Sequence, residues 1–347
     1  MSLELIYNLS LKGENLHEKL EFLIPHFLPK KMITTIYADG GNGKSYLSAA
    51  ICKRLCKSES VKHIVYVDLD NPISMLVDRG YDTLLLNEPK IAYIHRCKLN
   101  IKPFELLCAL EEQALGSKYE GYVFIFDSLR NFVDIDNDKS AMALFDVAMN
   151  LREAGATIIA LHHSNKDGKN FKGSSHIRNS TDVMYRLERL EGESQKVCVK
   201  LIAQKERAGI RDMSFGIDVR DLSLNEVDSK IANMNERQKD FVLKAKAVLE
   251  HSSPNKTQLL LACGYEKGDK WARETLQHFE GLFWESLPKG KNNALTYHLL
   301  TTPTTLTTPR EIGTCDVKDM SAQSTGFRNE AGFDCASEVK TNERSRI

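Results

Sequence analysis

The chain has 347 residues, and its 47 Lys and Arg are balanced by 47 Asp and Glu, so the formal net charge is zero. This balance argues against a protein that coats nucleic acid through overall positive charge, and any such contact must come from local patches. The longest apolar runs have the length of strands, which predicts no membrane span. The amino terminus lacks the features of a signal peptide, so a cytoplasmic location is the expectation.

Four segments are predicted along the chain. Residues 1–31 form an entry segment that is interrupted by prolines. Residues 32–225 alternate apolar strand-like runs with amphipathic helices, which predicts an α/β domain with a mainly parallel central sheet. Residues 235–300 form a second, smaller module. Residues 301–347 begin with a Thr- and Pro-rich stretch and continue polar, which predicts a disordered tail.

The α/β domain is predicted from its hydrophobic pattern. The predicted strands are Met32–Ala38, Ile64–Leu69, Ile91–His95, Tyr122–Phe126 and Thr157–Leu161, and the predicted helices are Lys44–Cys56, Pro103–Ala114 and Ser140–Ala154. After them come three strand-like runs separated by short turns, which predict an antiparallel extension of the sheet. These runs are Thr181–Leu190, Lys196–Ala203 and Met213–Val219, with Glu191-Gly192-Glu193 as one of the turns.

A phosphate-binding loop is predicted between the first strand and the first helix of this domain. Its glycines let the backbone wrap around phosphates, Lys44 can reach the β- and γ-phosphates, and the Ser45 hydroxyl can hold Mg²⁺. Ala38 stands where the motif usually begins with glycine, and a plain glycine-rich turn before a helix is the alternative. The predicted ligand is therefore ATP with Mg²⁺, bound by Gly40, Gly41, Asn42, Gly43, Lys44, Ser45 and Tyr46.

Two aspartates follow strand-like runs and are candidates for catalysis. Asp127 follows Tyr122–Phe126, a pattern typical of the Walker B element that holds Mg²⁺, and the phosphate loop is expected on the neighbouring strand. Asp70 is expected to end the second strand and to act as general base or to position the attacking water. The alternative for Asp70 is that it, or Asn71, caps a helix that starts at Pro72.

The second module reads as helix-turn-helix followed by a β-hairpin, which is the outline of a winged helix. The predicted helices are Glu236–Glu250, Pro254–Cys263 and Asp269–Phe279, and the predicted strands are Leu282–Ser286 and Ala294–Leu299. Winged helices bind duplex DNA or mediate protein contacts. The predicted DNA contacts of the module are Lys270 and Arg273 on the third helix, and Lys289 and Lys291 on the tip of the hairpin.

Further segments resemble the RecA-like replicative helicases, most closely the RepA-type plasmid helicase group. Asp70-Asn71-Pro72 is similar to the family's Glu-Asp-Pro, and the segment from Asp127 to Phe132 is similar to its extended Walker B element. Leu161-His162-His163 resembles its His-His sensor strand, Gly173-Ser174-Ser175 its next motif, and Lys205-Glu206-Arg207-Ala208-Gly209 its Lys-x-Arg-x-Gly element. The resemblance covers roughly residues 28 to 219. It implies a RecA-like (AAA_25-like) P-loop ATPase that forms a homo-hexamer on DNA, with replication proteins such as a primase as partners.

The resemblance also implies roles for cationic and imidazole side chains. His163 would sense the γ-phosphate, while His162 should point the opposite way into the core. Lys205 and Arg207, two apart on one strand, are expected to share one face and to reach the phosphates of a neighbouring subunit. Two solvated charges on an edge strand are the alternative. Related proteins carry a finger arginine, which acts on the nucleotide of the adjacent subunit, at the position of Asp182. Arg207 is therefore the preferred candidate for this role, and Arg178 is the second candidate.

The loop after the sensor strand is the candidate contact for single-stranded DNA. It lacks an apolar pattern and combines cations with one aromatic side chain, Phe171, which suits a nucleic-acid backbone, although plain solvated loops look similar. The candidate cations are Lys166, Lys169, Lys172 and Arg178. The function predicted from these features is an ATP-dependent DNA helicase or replication ATPase. The alternatives are an ATP-switched DNA-binding regulator or loader that does not unwind DNA, and a recombinase-like filament.

Overall fold

The computed structural model describes residues 19–165, 168–190, 195–289 and 294–300, together with positions 7, 10, 11 and 13. Contacts group the chain from Met1 to Leu306 into one compact unit. No helix among the described residues has both the length and the apolar character needed to cross a membrane. Several predictions fall outside the described residues: the tail 301–347, Lys166, Lys291 and the turn Glu191-Gly192-Glu193.

Two short strands, β1 (Phe22–Ile24) and β2 (Leu28–Pro29), pair in antiparallel fashion before the α/β domain. Nine strands of the described chain then form one sheet in the order β11-β10-β9-β8-β3-β7-β6-β4-β5. They are β3 (Ile33–Ala38), β4 (His63–Asp68), β5 (Ile91–His95), β6 (Tyr122–Asp127), β7 (Thr157–His163), β8 (Val183–Arg189), β9 (Lys196–Lys205), β10 (Met213–Asp218) and β11 (Leu224–Glu226).

The sheet changes from parallel to antiparallel pairing at β8. Neighbouring strands from β8 to β5 are parallel, and β9, β10 and β11 continue the sheet in antiparallel fashion. The predicted α/β fold with a mainly parallel central sheet is therefore confirmed. Because parallel strands share a direction, the carboxyl ends of β3, β7, β6 and β4 meet at one edge, where ligands bind in such sheets.

Helices cover both faces of the sheet, so the central strands are buried on both sides. One core cluster joins the sheet to α1, and a second joins it to α4 and α5. Asn137 caps the start of α5 by accepting a hydrogen bond from the Ser140 N–H. The helices of this domain are α1 (Lys44–Cys56), α2 (Ile73–Asp78), α3 (Tyr81–Leu84), α4 (Pro103–Glu111), α5 (Asp138–Glu153) and α6 (His176–Ser180).

Helices and a hairpin with a core of their own follow the sheet. Asn235 and Asn255 begin two of the helices with capping boxes, since each side chain accepts from the backbone three residues on. Phe241, Leu276 and Trp284 are fully buried in this core. The elements are α7 (Ser229–Ala232), α8 (Glu236–His251), α9 (Lys256–Ala262), α10 (Lys270–His278), β12 (Trp284–Lys289) and β13 (Ala294–Leu299). The winged-helix assignment of this module stays a prediction.

The module's core yields a stability prediction that fluorescence can read, because both tryptophans of the chain, Trp271 and Trp284, belong to it. Leu276 is 0% exposed, whereas Leu261 on α9 is 59% exposed. Leu276→Ala should therefore lower the free energy of unfolding by about 2–5 kcal/mol in urea titrations followed by tryptophan emission. Leu261→Ala, the matched control, should lower it by less than about 1 kcal/mol. Equal effects of the two substitutions would contradict this packing.

Candidate active site

The phosphate loop joins β3 to α1 at the carboxyl edge of the sheet. Gly41 and Gly43 have φ values of 81° and 94°, in the left-handed region that favours glycine. A side chain at Gly43 would also approach the Cγ1 atoms of Val197 and Val199 on β9 to 3.1 and 3.3 Å. The loop therefore needs glycine at Gly43 both for its backbone conformation and for its contact with β9.

Lys44 lies beneath this loop with only 7% of its surface exposed. Its Nζ donates hydrogen bonds to the backbone carbonyls of Ala38 at 2.8 Å and Asp39 at 2.9 Å. Burial lowers the pKa of Lys44, while the nearby carboxylates oppose this effect. Since Ala38 contributes its carbonyl oxygen here, alanine in place of the usual glycine leaves this contact intact.

Ser45 in α1 and Asp127 at the end of β6 lie next to each other, although β6 does not adjoin β3, the strand that leads into the phosphate loop. The Ser45 hydroxyl is 3.4 Å from Oδ2 of Asp127, which ends β6 and is 2% exposed. Strand β7 lies between β3 and β6, so the expectation that the Walker B strand adjoins the phosphate-loop strand was wrong. The described residues contain no group of three or more His, Cys, Asp or Glu that could hold a metal ion. A hydroxyl and a carboxylate beside a phosphate loop do fit Mg²⁺ that arrives with a nucleotide.

Asp127 is held in a buried hydrogen-bond network. Its Oδ2 accepts from the Tyr66 hydroxyl at 2.9 Å, and this hydroxyl also contacts the Ser48 hydroxyl at 2.8 Å. The neighbouring carboxylate is Asp68, directly opposite Asp127 in the pairing of β4 with β6. Burial, and then the charge of Asp68, raise the pKa of Asp127 to about 7. Ionisation of Asp127 is therefore costly until a cation arrives.

Asp70 lies in a turn after β4, because the strand ends at Asp68 and not at Asp70 as predicted. Its Oδ1 accepts from the Arg130 guanidinium and the Asn131 amide, both at 3.1 Å, and its Oδ2 lies 3.6 Å from His163 Nε2. The adjacent His163 imidazole, followed by the hydrogen bonds from Asn131 and Arg130, holds the pKa of Asp70 well below its usual range.

The alternative reading of Asp70 and Asn71 as helix caps was wrong. Pro72 is the N-cap residue of α2, and no side chain caps that helix. The Asn71 amide instead donates to Asp68 at 3.1 Å and to Asp127 at 3.4 Å. Both side chains therefore face the carboxyl edge of the sheet.

The two histidines at the end of β7 point in different directions, as predicted. His163 Nε2 lies 3.3 Å from the Ser128 hydroxyl, next to Asp70. His162 is fully buried, and its Nε2 contacts the Lys172 carbonyl, while its Nδ1 has no hydrogen-bond partner among the described residues. Burial lowers the pKa of His162 to about 4, so this imidazole is neutral at physiological pH.

Lys205 and Arg207 lie at the opposite, amino edge of the sheet. Strand β9 ends at Lys205, so the expectation that both cations share one strand face was wrong. The Lys205 ammonium donates to the backbone carbonyls of Arg178, Asn179 and Thr181. Arg207 lies 3.4 Å from Asp182, whose other oxygen accepts from the first N–H of β3.

This location excludes contact with the phosphate loop of the same chain. The six residues of β3 separate the two edges, and a strand rises about 3.3 Å per residue, or roughly 17 Å over this length. Arg178, the reserve candidate, shares the amino edge, where its guanidinium donates to the Gln204 carbonyl at 3.1 Å. If these cations contact a nucleotide in a phosphate loop, that loop must therefore belong to another copy of the chain.

The described part of the basic segment after β7 packs in part against the core. Phe171 is partly buried, with its ring 6.0 Å from Tyr37 and 6.4 Å from His162, so it is not an open stacking platform. The Tyr37 hydroxyl donates to the Lys169 carbonyl at 3.0 Å. Lys172 is exposed and lies 3.9 Å from Asp136. Because Arg178 lies in α6 at the amino edge, the expectation that it shares one basic loop with Lys169 and Lys172 was wrong.

In the C-terminal module Lys270 and Arg273 lie on exposed surface. Lys270 is 89% exposed and 3.9 Å from Glu274, and Arg273 is exposed on the same helix, α10. Lys289 is the last residue of β12. On the inner side of the module Phe279 is buried, and Trp271 packs beneath the Arg237 guanidinium at 3.8 Å.

Four residues at the carboxyl edge were missed by the sequence reasoning. Asp68 and Tyr93 form a 2.6 Å hydrogen bond, and Tyr66 binds Asp127. Arg189 lies at the end of β8 and donates to the Gly41 carbonyl of the phosphate loop at 3.2 Å. Strand β8 runs past the end of β3, so the register of this pair places Arg189 beside the phosphate loop. The register depends on pairing between strands distant in the chain, which the local sequence pattern does not predict.

The raised pKa of Asp127 predicts a pH dependence of nucleotide binding. Mg²⁺ binds the ionised carboxylate, so affinity for Mg-ATP should rise from pH 6 to pH 8, with proton release on binding near pH 6.5. Isothermal titration calorimetry in two buffers of different ionisation enthalpy measures this release. Asp127→Asn should abolish it, and release that persists in this variant would assign it to another group.

Stability of the ligand-free protein should change with pH in the opposite sense. A carboxyl group whose pKa rises on folding contributes stability at low pH that is lost as pH rises from about 4 to about 7. Asp127→Asn should therefore stabilise the ligand-free chain at pH 8 by about 1–3 kcal/mol and by less at pH 5. Urea unfolding at both pH values checks this difference.

Comparison with known families agrees with this geometry. Residues 12–169 match the model of a family described as an AAA domain. A search of the curated proteins found no match. The matched range ends after β7 and includes the phosphate loop, Asp70, Asp127 and His163. The matched range therefore covers the part of the chain that carries the phosphate loop and the polar groups at the carboxyl edge of the sheet.

Proposed function

We propose that this protein is an ATP-dependent DNA helicase or replication ATPase of the RepA type, which couples ATP hydrolysis to movement on single-stranded DNA. The observation that carries the proposal is the convergence of Lys44, Ser45, Asp127, Asp70 and His163 at one edge of the sheet. This set contains a phosphate-binding cation, a pair of Mg²⁺ ligands and a polar group for the attacking water.

The reaction is hydrolysis of the γ-phosphate of ATP. Water attacks phosphorus in line, a phosphorus–oxygen bond forms, and the bond to the ADP oxygen breaks. Lys44 binds the phosphates, and Mg²⁺, when bound by Ser45 and Asp127, neutralises their charge. Asp70 orients the water. Its lowered pKa favours accepting a hydrogen bond over storing a proton, which supports orientation of the water over the role of general base.

His163 connects this site to the segment that carries the candidate DNA contacts. It lies between Asp70 and the Ser128 hydroxyl, and the chain continues from it into Lys169 and Lys172. A change in the charge around Asp70 would therefore alter the contacts of His163, directly before this segment. Among the described cations of the segment, Lys169 and Lys172 lie on this side of the sheet.

A neighbouring subunit is proposed to complete the site in a ring of identical chains, taken here as a hexamer. Lys205 and Arg207 lie too far from the phosphate loop of their own chain, and a head-to-tail ring would bring one edge of each subunit to the other edge of the next. The Arg207 side chain is 57% exposed and is held by one ion pair with Asp182, so it can reorient toward a neighbour. Arg178 is the reserve for this role.

The second candidate function is an ATP-switched DNA-binding regulator or loader. The observation in its favour is the C-terminal module, where α10 presents Lys270 and Arg273 to solvent beside a β-hairpin. If the module is a winged helix, these cations can contact duplex DNA. Strand displacement on forked DNA separates the two functions, since the regulator would bind the duplex without unwinding it.

Lys44→Ala should reduce DNA-stimulated ATP turnover by at least about a hundredfold, because it removes the buried cation from the phosphates. Lys57→Ala is the matched control, since Lys57 is exposed at the other end of the same helix, α1. Its turnover should equal that of the wild type. A colorimetric phosphate assay with and without single-stranded DNA measures both, and unchanged turnover in Lys44→Ala would refute the proposed function.

Mixing inactive subunits tests whether sites are shared. In a random 1:1 mixture of Lys44→Ala and Arg207→Ala chains, about one quarter of the interfaces combine an intact Lys44 with an intact Arg207, if each ring contact is head-to-tail. Turnover should therefore recover to about a quarter of the wild-type value. The control mixture, Lys44→Ala with the double variant, should stay inactive. Absence of recovery at every ratio would exclude a shared site.

A further inference from the structure

Asp68 is a buried carboxylate that the proposed reaction does not use. It ends β4 with 0% exposure, and no ion-pair partner for it occurs among the described residues. A buried charge without a counter-ion is costly unless hydrogen bonds satisfy it. Both of its oxygens are in fact bonded, and the donors show what this residue holds in place.

Oδ1 of Asp68 closes the turn that carries Asp70. It accepts from the backbone N–H of Asp70 at 3.1 Å and from the backbone N–H of Asn71 at 3.0 Å. This is the pattern of an Asx turn, in which a side chain takes the place of a backbone acceptor. The Asn71 amide adds a third hydrogen bond to Oδ1 at 3.1 Å.

Oδ2 of Asp68 is anchored from the other side. It accepts from the Tyr93 hydroxyl at 2.6 Å, and the Tyr93 ring stacks on Tyr66 with centroids 4.8 Å apart. Tyr66 in turn donates to Asp127. The carboxylate of Asp68 is therefore fixed by a tyrosine pair that also holds the proposed Mg²⁺ ligand.

Other contacts of the segment after Asp68 lie at Leu69 and Asn71, and none of them involves the backbone of Asp70. The Asn71 carbonyl contacts His95 Nε2 at 2.8 Å, and the Asn71 side chain accepts from the Arg79 guanidinium at 3.1 Å. The Leu69 N–H donates to the Asp127 carbonyl at 2.7 Å. Beyond it, α2 has no side-chain cap and buries only Leu76, while Ile73 and Val77 are 52% and 61% exposed. The helix therefore cannot impose the conformation of Asp70, whereas the two backbone hydrogen bonds to Asp68 can.

We propose that Asp68 is a positioning residue that holds Asp70 toward the attacking water. The inference rests on the proposed function, in which Asp70 orients this water. The turn sets the backbone of Asp70 so that its carboxylate meets Arg130, Asn131 and His163. A displacement of about 1 Å in such a group can cost about a hundredfold in rate.

Asp68→Ala removes every acceptor of the turn, so kcat for ATP should fall about 30- to 100-fold while KM changes less than about threefold. Asp68→Asn keeps one oxygen for the two backbone N–H groups and should retain kcat within about threefold. Asp68→Val is a second loss variant that fills the volume with apolar atoms and suits a strand, should the alanine variant not fold. Circular dichroism selects the folded variants.

A second readout does not depend on turnover. The imidazole ¹H–¹⁵N resonances of His163, assigned with His163→Gln, report the position of Asp70 beside the ring. They should shift in Asp68→Ala and Asp68→Val in the same direction as in Asp70→Ala, and remain in place in Asp68→Asn. Tyr93→Phe, which removes one donor to Oδ2 but none of the backbone bonds, should also leave them in place.

The outcomes separate this inference from the proposed function. Wild-type turnover no higher than that of Lys44→Ala would refute ATP hydrolysis, and the His163 resonances would still test the position of Asp70. Wild-type hydrolysis together with a folded Asp68→Ala or Asp68→Val that keeps kcat within twofold would overturn the role of Asp68. Unchanged His163 resonances in these variants, or a rise in KM without a fall in kcat, would overturn it as well.

Discussion

Parallel pairing of β3, β7, β6 and β4 is the constraint from which the candidate site follows. The register places Ala38 opposite His163, and Asp68 opposite Asp127, so the ends of these strands lie at one level. Each strand is buried on both faces, and a shift in register would have to move both core clusters. The polar groups at the edge are thus held by the packing of apolar side chains several residues away.

Charge is unevenly distributed at this edge. Asp70 and Asp127 lie near the buried ammonium group of Lys44, Asp68 lies opposite Asp127, and Arg130 pairs with Asp70. The raised pKa of Asp127 expresses this imbalance, because a buried carboxylate beside another carboxylate ionises with difficulty. A divalent cation that arrives with a nucleotide would remove the imbalance. Under the proposed function, binding of the nucleotide with its cation therefore also reduces the repulsion between the carboxylates of the site.

The amino edge of the sheet has a different organisation. Asp182 accepts from Arg152, Arg207 and the first N–H of β3, and Lys205 binds the carbonyls at the end of α6. The cations of this edge are therefore held by the buried carboxylate of Asp182 and by backbone carbonyl groups. The two edges are complementary in charge but lie on opposite ends of one strand, which is the physical reason why a shared site between subunits is proposed rather than one within a chain.

The sequence by itself determined the α/β class, the phosphate loop, and most element bounds within a few residues, because these depend on local periodicity and on glycine chemistry. It also singled out Asp70, Asp127 and His163. Tertiary structure alone decided that β7 separates the phosphate-loop strand from β6, that Lys205 and Arg207 lie far from Lys44, and that Phe171 is packed against the core. It also revealed Asp68 as the anchor of Asp70. Strand order and side-chain partners depend on contacts between residues distant in the chain, which no local pattern records.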